Sequence, residues 1–216
     1  MPGCPVDSLR AGTEHARVEV RLATMNDVPA LGRTLGRAFD DDPVMAHFIP
    51  RDVPRHAERL ARFVLLGTNG AVAEGTVYTT SELSGGAVWR APARWKVPTR
   101  QLLSDLPTLV RTLGRRVPVG MATFQLLERH HPEEPHWYLE VLGTEPAEQG
   151  KGIGSALMAP VLERCDAEGL PAYLESSKEQ NIRYYERHGF RVTGGLDLPK
   201  GGPRLWPMWR DPRPAA

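Results

Sequence analysis

The sequence predicts an α/β or α+β chain. Three observations carry this: period-two apolar runs alternate with period-3.6 runs along most of its 216 residues, Gly and Pro clusters punctuate the changes of period, and no internal repeat appears. A chain of this length with 41% hydrophobic residues can bury one sizeable core. We expect one domain over residues 17–210, a flexible N-terminal tail at 1–16 and a short C-terminal tail at 211–216.

The elements follow in order. "RVEVRLAT" alternates Val18, Val20 and Leu22 with polar residues, as a half-buried strand does; "NDVPALGRTLGRAF" has Asn26 or Asp27 as a cap and Leu31, Leu35 and Ala38 at helical spacing. Pro43 breaks that helix, and helical periodicity resumes from Pro54 through Leu60, Phe63 and Val64 until Gly67 and Gly70 stop it. "AVAEGTVYTT" and "GGAVWRAP" read as two strands joined by a glycine turn. Residues 98–130 read as one or two helices interrupted near Gly114 and Pro118, and a strand over 136–144 ends before Pro146. The helix after it places Ile153, Leu157, Val161 and Cys165 four apart on one face, with Pro160 inside and Gly169 as its stop. "LPAYLESS" is a further strand, "EQNIRYYERHGF" a short helix, and "FRVTGGLDLP" with "PRLWPMWR" a closing pair of strands.

Charge and cysteine content narrow the function classes. Lys and Arg number 27 against 26 Asp and Glu, so the net charge of +1 supplies no field for a nucleic-acid or anionic membrane partner. Cys4 and Cys165 do not make a disulfide framework, and neither a signal peptide nor a membrane span is evident, which points to a soluble cytoplasmic protein. His130, His131 and His136 crowd "RHHPEEPH" without the spacing of a helical zinc motif, so no metal is expected.

The chemistry concentrates in "EQGKGIGSALM", where Gly150, Gly152 and Gly154 alternate at the mouth of a helix. Unpaired N–H groups and the positive end of the helix dipole converge there, so an anion such as phosphate is the natural guest, and Lys151 adds a charge. A P-loop would need Gly at Glu145 and Ser or Thr at Gly152; a dinucleotide fingerprint would need Gly at Ser155. A glycine turn that merely packs helix on strand is the remaining alternative from spacing alone.

The stretch "LGTEPAEQGKGIGSALM" resembles the acetyl-CoA pyrophosphate signature of the GNAT family of N-acetyltransferases, and "YLESSKEQNIRYYERHGF" resembles that family's second half. Within the family the likeness is nearest to puromycin-type enzymes. The resemblance implies the GNAT fold: a mixed, mostly antiparallel sheet flanked by helices, with a splayed central strand pair. It implies acetyl-CoA as co-substrate, with Leu142, Gly143 and Thr144 along the pantetheine arm and an N–H near Leu142 as oxyanion donor. Gln149, Gly150, Lys151, Gly152, Ile153, Gly154 and Ser155 would hold the pyrophosphate, Asn181 the pantetheine arm, and Tyr185 would be the general acid for the departing thiolate. Without the resemblance, Tyr185 reads as a packing aromatic, and Tyr184 faces elsewhere as a structural residue.

A base must take the proton of the attacking amine. Glu140, two residues before Leu142 on the same strand face, and Glu175, on the neighbouring strand, are the candidates; an exposed or ion-paired carboxylate is the alternative for each. Asp40, Asp41 and Asp42 read as a solvated helix end able to attract a cationic amine, and Phe39, Phe48 and Trp89 as lining for an apolar acceptor pocket or as ordinary core. The expected acceptor is the primary amine of a small molecule, such as an antibiotic, with a protein lysine or N-terminus, or acyl-CoA sensing without turnover, as alternatives. The protein would be a monomer or homodimer.

Overall fold

A computed structural model describes residues 18–96 and 99–214; the N-terminal tail reading and Cys4 lie outside it, as do the last two residues of the C-terminal tail. The chain opens with β1 (Val20–Leu22) and α1 (Val28–Ala38), continues through α2 (Pro43–Phe48), α3 (His56–Val64) and α4 (Thr68–Ala73), and enters the hairpin of β2 (Val77–Thr80) and β3 (Gly85–Arg90). Helices α5 (Thr99–Leu113) and α6 (Val117–His130) follow, then β4 (Trp137–Thr144), α7 (Ile153–Glu168), β5 (Ala172–Ser176) and α8 (Ile182–Glu186). The chain ends with β6 (Arg191–Val192), β7 (Leu196–Asp197) and β8 (Arg204–Arg210).

Several boundaries differ from the sequence reading for local reasons. Pro43 starts α2 as well as ending the preceding segment: it needs no N–H partner in a first turn, and Asp42 Oδ1 caps the helix by accepting from Val44 N (2.9 Å) and Met45 N (3.0 Å). Asp27 stands at the start of α1 without capping it, because Arg21 (2.8 and 2.9 Å) and Thr24 N (2.8 Å) engage its carboxylate and hold its pKa well below the usual range. Residues 71–73, read as the start of a strand, belong to α4, which begins after the left-handed Gly67 and closes before the left-handed Gly75.

Among the described residues the sheet has eight strands, in the order β1-β2-β3-β4-β5-β8-β6 with β7 also on β8, and every pairing is antiparallel except β4 with β5. Apolar side chains cover both faces. Leu31 and Leu35 of α1, Leu60 and Phe63 of α3, and Leu109 and Leu113 of α5 fill one face. On the other, α7 buries the predicted stripe of Ile153, Leu157, Val161 and Cys165 against Trp89, Trp137, Leu174 and Met208. Cys165 is thus a core residue whose thiol burial pushes up to about 12.

Two irregularities build the site. Strands β4 and β5 pair only over Trp137–Leu139 against Ala172–Leu174, so from Glu140 onward β4 keeps β3 and leaves β5. The second irregularity is a bulge. Val88 lies opposite Val141 and Trp89 opposite Leu139, which leaves Glu140 as the extra residue. The inserted residue flips the alternation, so Leu139 and Leu142 pack on the α7 side and Val141 packs on the other.

Candidate active site

The splay opens a cleft of about 480 Å³ between β4 and β5, floored by the α7 mouth. Its walls include Leu142, Gly143 and Thr144 of β4; Gln149, Gly150, Gly152, Ile153, Gly154 and Ser155 of the glycine segment; and Asn181 and Tyr185 from the start and middle of the α8 region. Lys151 is absent from the lining; its ammonium pairs with Glu148 at 2.9 Å on the outside. Gly150 (φ +78°) and Gly152 (φ +83°) are left-handed, and a Cβ on either would meet no atom within 4 Å. Bare backbone therefore faces open space ahead of a 16-residue helix, a cradle for an anion.

Tyr184 corrects the sequence reading. It lines the cleft, and its Oη lies 2.6 Å from where a Cβ of Gly154 would stand, so a side chain at that position would require Tyr184 to move. Ser155 Oγ is held by His188 Nε2 at 3.0 Å.

A second cavity of about 200 Å³ opens on the opposite face of β4, lined by Phe48, Phe63, Phe124, Met45 and Leu127 among others. The two cavities share Phe39, Asp42, Glu140, Glu175 and Ser177. Phe39 and Phe48 are in the expected place, whereas Trp89 is wholly buried in the α7-side core and reaches neither cavity. The triple aspartate is not a solvated end as a whole. Asp42 is buried, its Oδ2 accepting from Ser177 Oγ, while Asp41 pairs with Lys178 at 2.6 Å; together they tie the α1–α2 loop to the segment after β5.

The two candidate bases sit in different surroundings. Glu140 does not share a face with Leu142, because the bulge turns it toward Arg90, whose Nε and Nη2 donate to it at 2.7 and 2.6 Å. Glu175 has a side chain only 6% exposed, and Oε1 has no hydrogen-bond partner among the described residues. Burial pushes its carboxyl up to about 7; Tyr138 and Tyr173 oppose the shift, and the Glu140 charge adds to it. Burial also raises the Tyr185 hydroxyl above its ordinary value, with Tyr184 and Asp42 adding, so it remains protonated at neutral pH.

Residues 80–190 match the model of the Acetyltransferase (GNAT) family. An uncharacterised N-acetyltransferase of Schizosaccharomyces pombe is 31% identical over 198 residues, covering 83% of this chain and 76% of the relative. The chain belongs to the GNAT acetyltransferase family.

A Corynebacterium glutamicum structure described as a histone acetyltransferase and related acetyltransferase superposes with a TM-score of 0.70 at 26% identity, covering 92% of this chain and 98% of that one. A Drosophila melanogaster polyamine N-acetyltransferase shares the fold, with a TM-score of 0.58 at 16% identity over 90% of this chain and 99% of that one. This GNAT enzyme thus carries out acetyl transfer, and acetyl-CoA is the family's general co-substrate. Among the described residues, no cluster of three or more His, Cys, Asp or Glu is arranged to hold a metal ion, and no helix is long and apolar enough to cross a membrane.

The glycine cradle of this GNAT enzyme gives a direct prediction. Gly152→Ala places a side chain at left-handed φ, at a cost of about 1–2 kcal/mol, and points it into the cleft. Acetyl-CoA affinity, measured by calorimetry, should fall about tenfold or more. Gly169→Ala meets the same strain at φ +66° at the far end of α7 and should lower Tm without changing that affinity.

Proposed function

We propose that this enzyme transfers the acetyl group of acetyl-CoA directly to the primary amine of a small molecule with an apolar body, an aminoacyl antibiotic such as puromycin being the first acceptor to try. The observation that carries the reading is the meeting of the anion-cradling cleft and the phenylalanine-lined cavity at Glu175. A cavity of about 200 Å³ suits one ring or a branched chain, and its aromatic walls oppose an extended protein segment as acceptor.

Acetyl-CoA, when bound, supplies an activated acyl group as a thioester. In this reading the main chain of Gln149–Ser155 grips the diphosphate, Leu142, Gly143 and Thr144 pair with the pantetheine arm where β5 has left β4, and Asn181 adds a side-chain contact. The Leu142 N–H is the donor for the oxygen that gains charge in the transition state. Glu175 takes a proton from the ammonium or attacking amine, and Tyr185 gives one to the departing thiolate, so no covalent enzyme species is required. Glu140, ion-paired with Arg90, forms part of the wall beside the acceptor. Residues 17–210 act as one catalytic unit, in the cytoplasm where its thioester is available.

The test is CoA thiol release over a panel of amines. Arylalkylamines, puromycin and branched aliphatic amines should turn over with lower KM than agmatine, spermidine or lysine peptides. Release with no acceptor, or with peptides alone, overturns the reading.

A further inference from the structure

The sequence offers His131 and His136 only as failed metal ligands, yet the fold buries both beneath the candidate base. Their hydrogen bonds fix where each proton sits. His136 Nδ1 lies 2.6 Å from Glu134 O, a carbonyl that only accepts, so Nδ1 carries the hydrogen. Burial lowers the pKa of His136, leaving it neutral with a bare Nε2. That bare nitrogen is 3.0 Å from His131 Nε2, which must donate to it. Burial holds His131 down to about 3, so it too is neutral and its Nδ1 is bare. Nδ1 faces Glu175 Oε1 at 3.9 Å, and that oxygen has no hydrogen-bond partner among the described residues. Trp95 stacks on the His131 ring at 3.7 Å and shields it.

We propose that His136 locks His131 in its Nε2–H tautomer so that a bare Nδ1 confronts Glu175 and sets how firmly that carboxyl holds a proton. A lone pair opposite a carboxylate repels the ionised form more than the protonated one, so the two histidines are positioning residues for the base. The opposite tautomer would place an N–H there and stabilise the carboxylate. The other titratable or charged groups facing Glu175 are Tyr138 and Glu140 from β4, Tyr173 from β5 and Asp42 from the start of α2; Lys96 lies near His131 and the Glu134 carboxylate near His136. None of them dictates the histidine tautomers, which follow from the Glu134 carbonyl.

The inference builds on Glu175 as the base in the proposed reaction, but its first tests need neither substrate nor turnover. Nitrogen-15 histidine spectra of the unaltered protein should show His136 as Nδ1–H and His131 as Nε2–H; an Nδ1–H on His131 overturns the proposal. In His136→Phe, His131 loses its acceptor and can turn an Nδ1–H toward the carboxylate. The Glu175 titration, followed by its carboxyl infrared band and identified by its absence in Glu175→Gln, should then fall by about half a pH unit or more. An unchanged midpoint overturns the proposal, and if His136→Phe does not fold, the nitrogen spectra alone decide. The acid limb of the kcat/KM profile should move by the same amount. A moved carboxyl midpoint with an unmoved limb would retain the tuning and remove Glu175 from the reaction.

Discussion

Glu175→Gln should lower kcat by about 10²- to 10⁴-fold at pH 7.5 with little change in acetyl-CoA affinity. An amide of the same shape keeps the cavity wall but accepts no proton, so the acceptor must lose its proton to water before attack. The parent profile should show an acid limb near pH 7, where Glu175 titrates, and the variant should lack it. A fall in affinity with kcat preserved would remove Glu175 from the chemistry.

The same substitution has a stability signature of opposite sign. Folded Glu175 titrates at about 7 against 4.5 for an ordinary glutamate, so between those values the unfolded chain has released a proton that the folded chain retains. Stability therefore falls as pH rises from about 4.5 to about 7, by on the order of 3 kcal/mol. Glu175→Gln removes this loss, so the variant should melt higher than the parent at pH 8, with the gap closing toward pH 4.5. A less active, more stable variant is the pattern of a group held in a destabilising state for function.

What was legible in the sequence follows from what is local. The α7 stripe at Ile153, Leu157, Val161 and Cys165 is a one-helix pattern, and all four positions are buried. The left-handed Gly150 and Gly152 are likewise local, because they answer to a turn that needs no distant partner. Strand alternation puts Glu140 on the Leu142 face only for an unbroken ladder, and the bulge between Val88 and Trp89 depends on how two strands distant in sequence come into register. Asp42 depended on Ser177, and the His131–His136 pair on Glu175 and Trp95, contacts that no periodicity encodes. Tyr184 and Tyr185 are adjacent, so helical spacing puts them on different faces, yet the short α8 turns both toward the cleft. In the histidine stretch, Pro132 and Pro135 predict irregular backbone but carry no signal that His131 and His136 are buried.

Tyr185→Phe should reduce kcat by about a hundredfold while leaving the acetyl-CoA dissociation constant within about threefold. Tyr185 cannot serve as a base, since burial and the nearby Tyr184 and Asp42 keep its hydroxyl protonated well above neutral pH. In the proposed role of donor it would act only when the thiolate develops, which is a transition-state interaction; losing one of that kind lowers kcat and kcat/KM together. Tyr184→Phe separates the adjacent phenol. It removes an oxygen that lies over Gly154 in the proposed diphosphate cradle, so its effect should fall on acetyl-CoA affinity, with kcat changed only a few-fold. The choice of thioester provides the decisive comparison. A more acidic thiol leaves without protonation, so an acetyl donor of that kind should restore most of the rate to Tyr185→Phe and little to Glu175→Gln. Equal restoration in both variants would show that the phenol does not protonate the leaving group, and Tyr185 would then be a wall of the cleft.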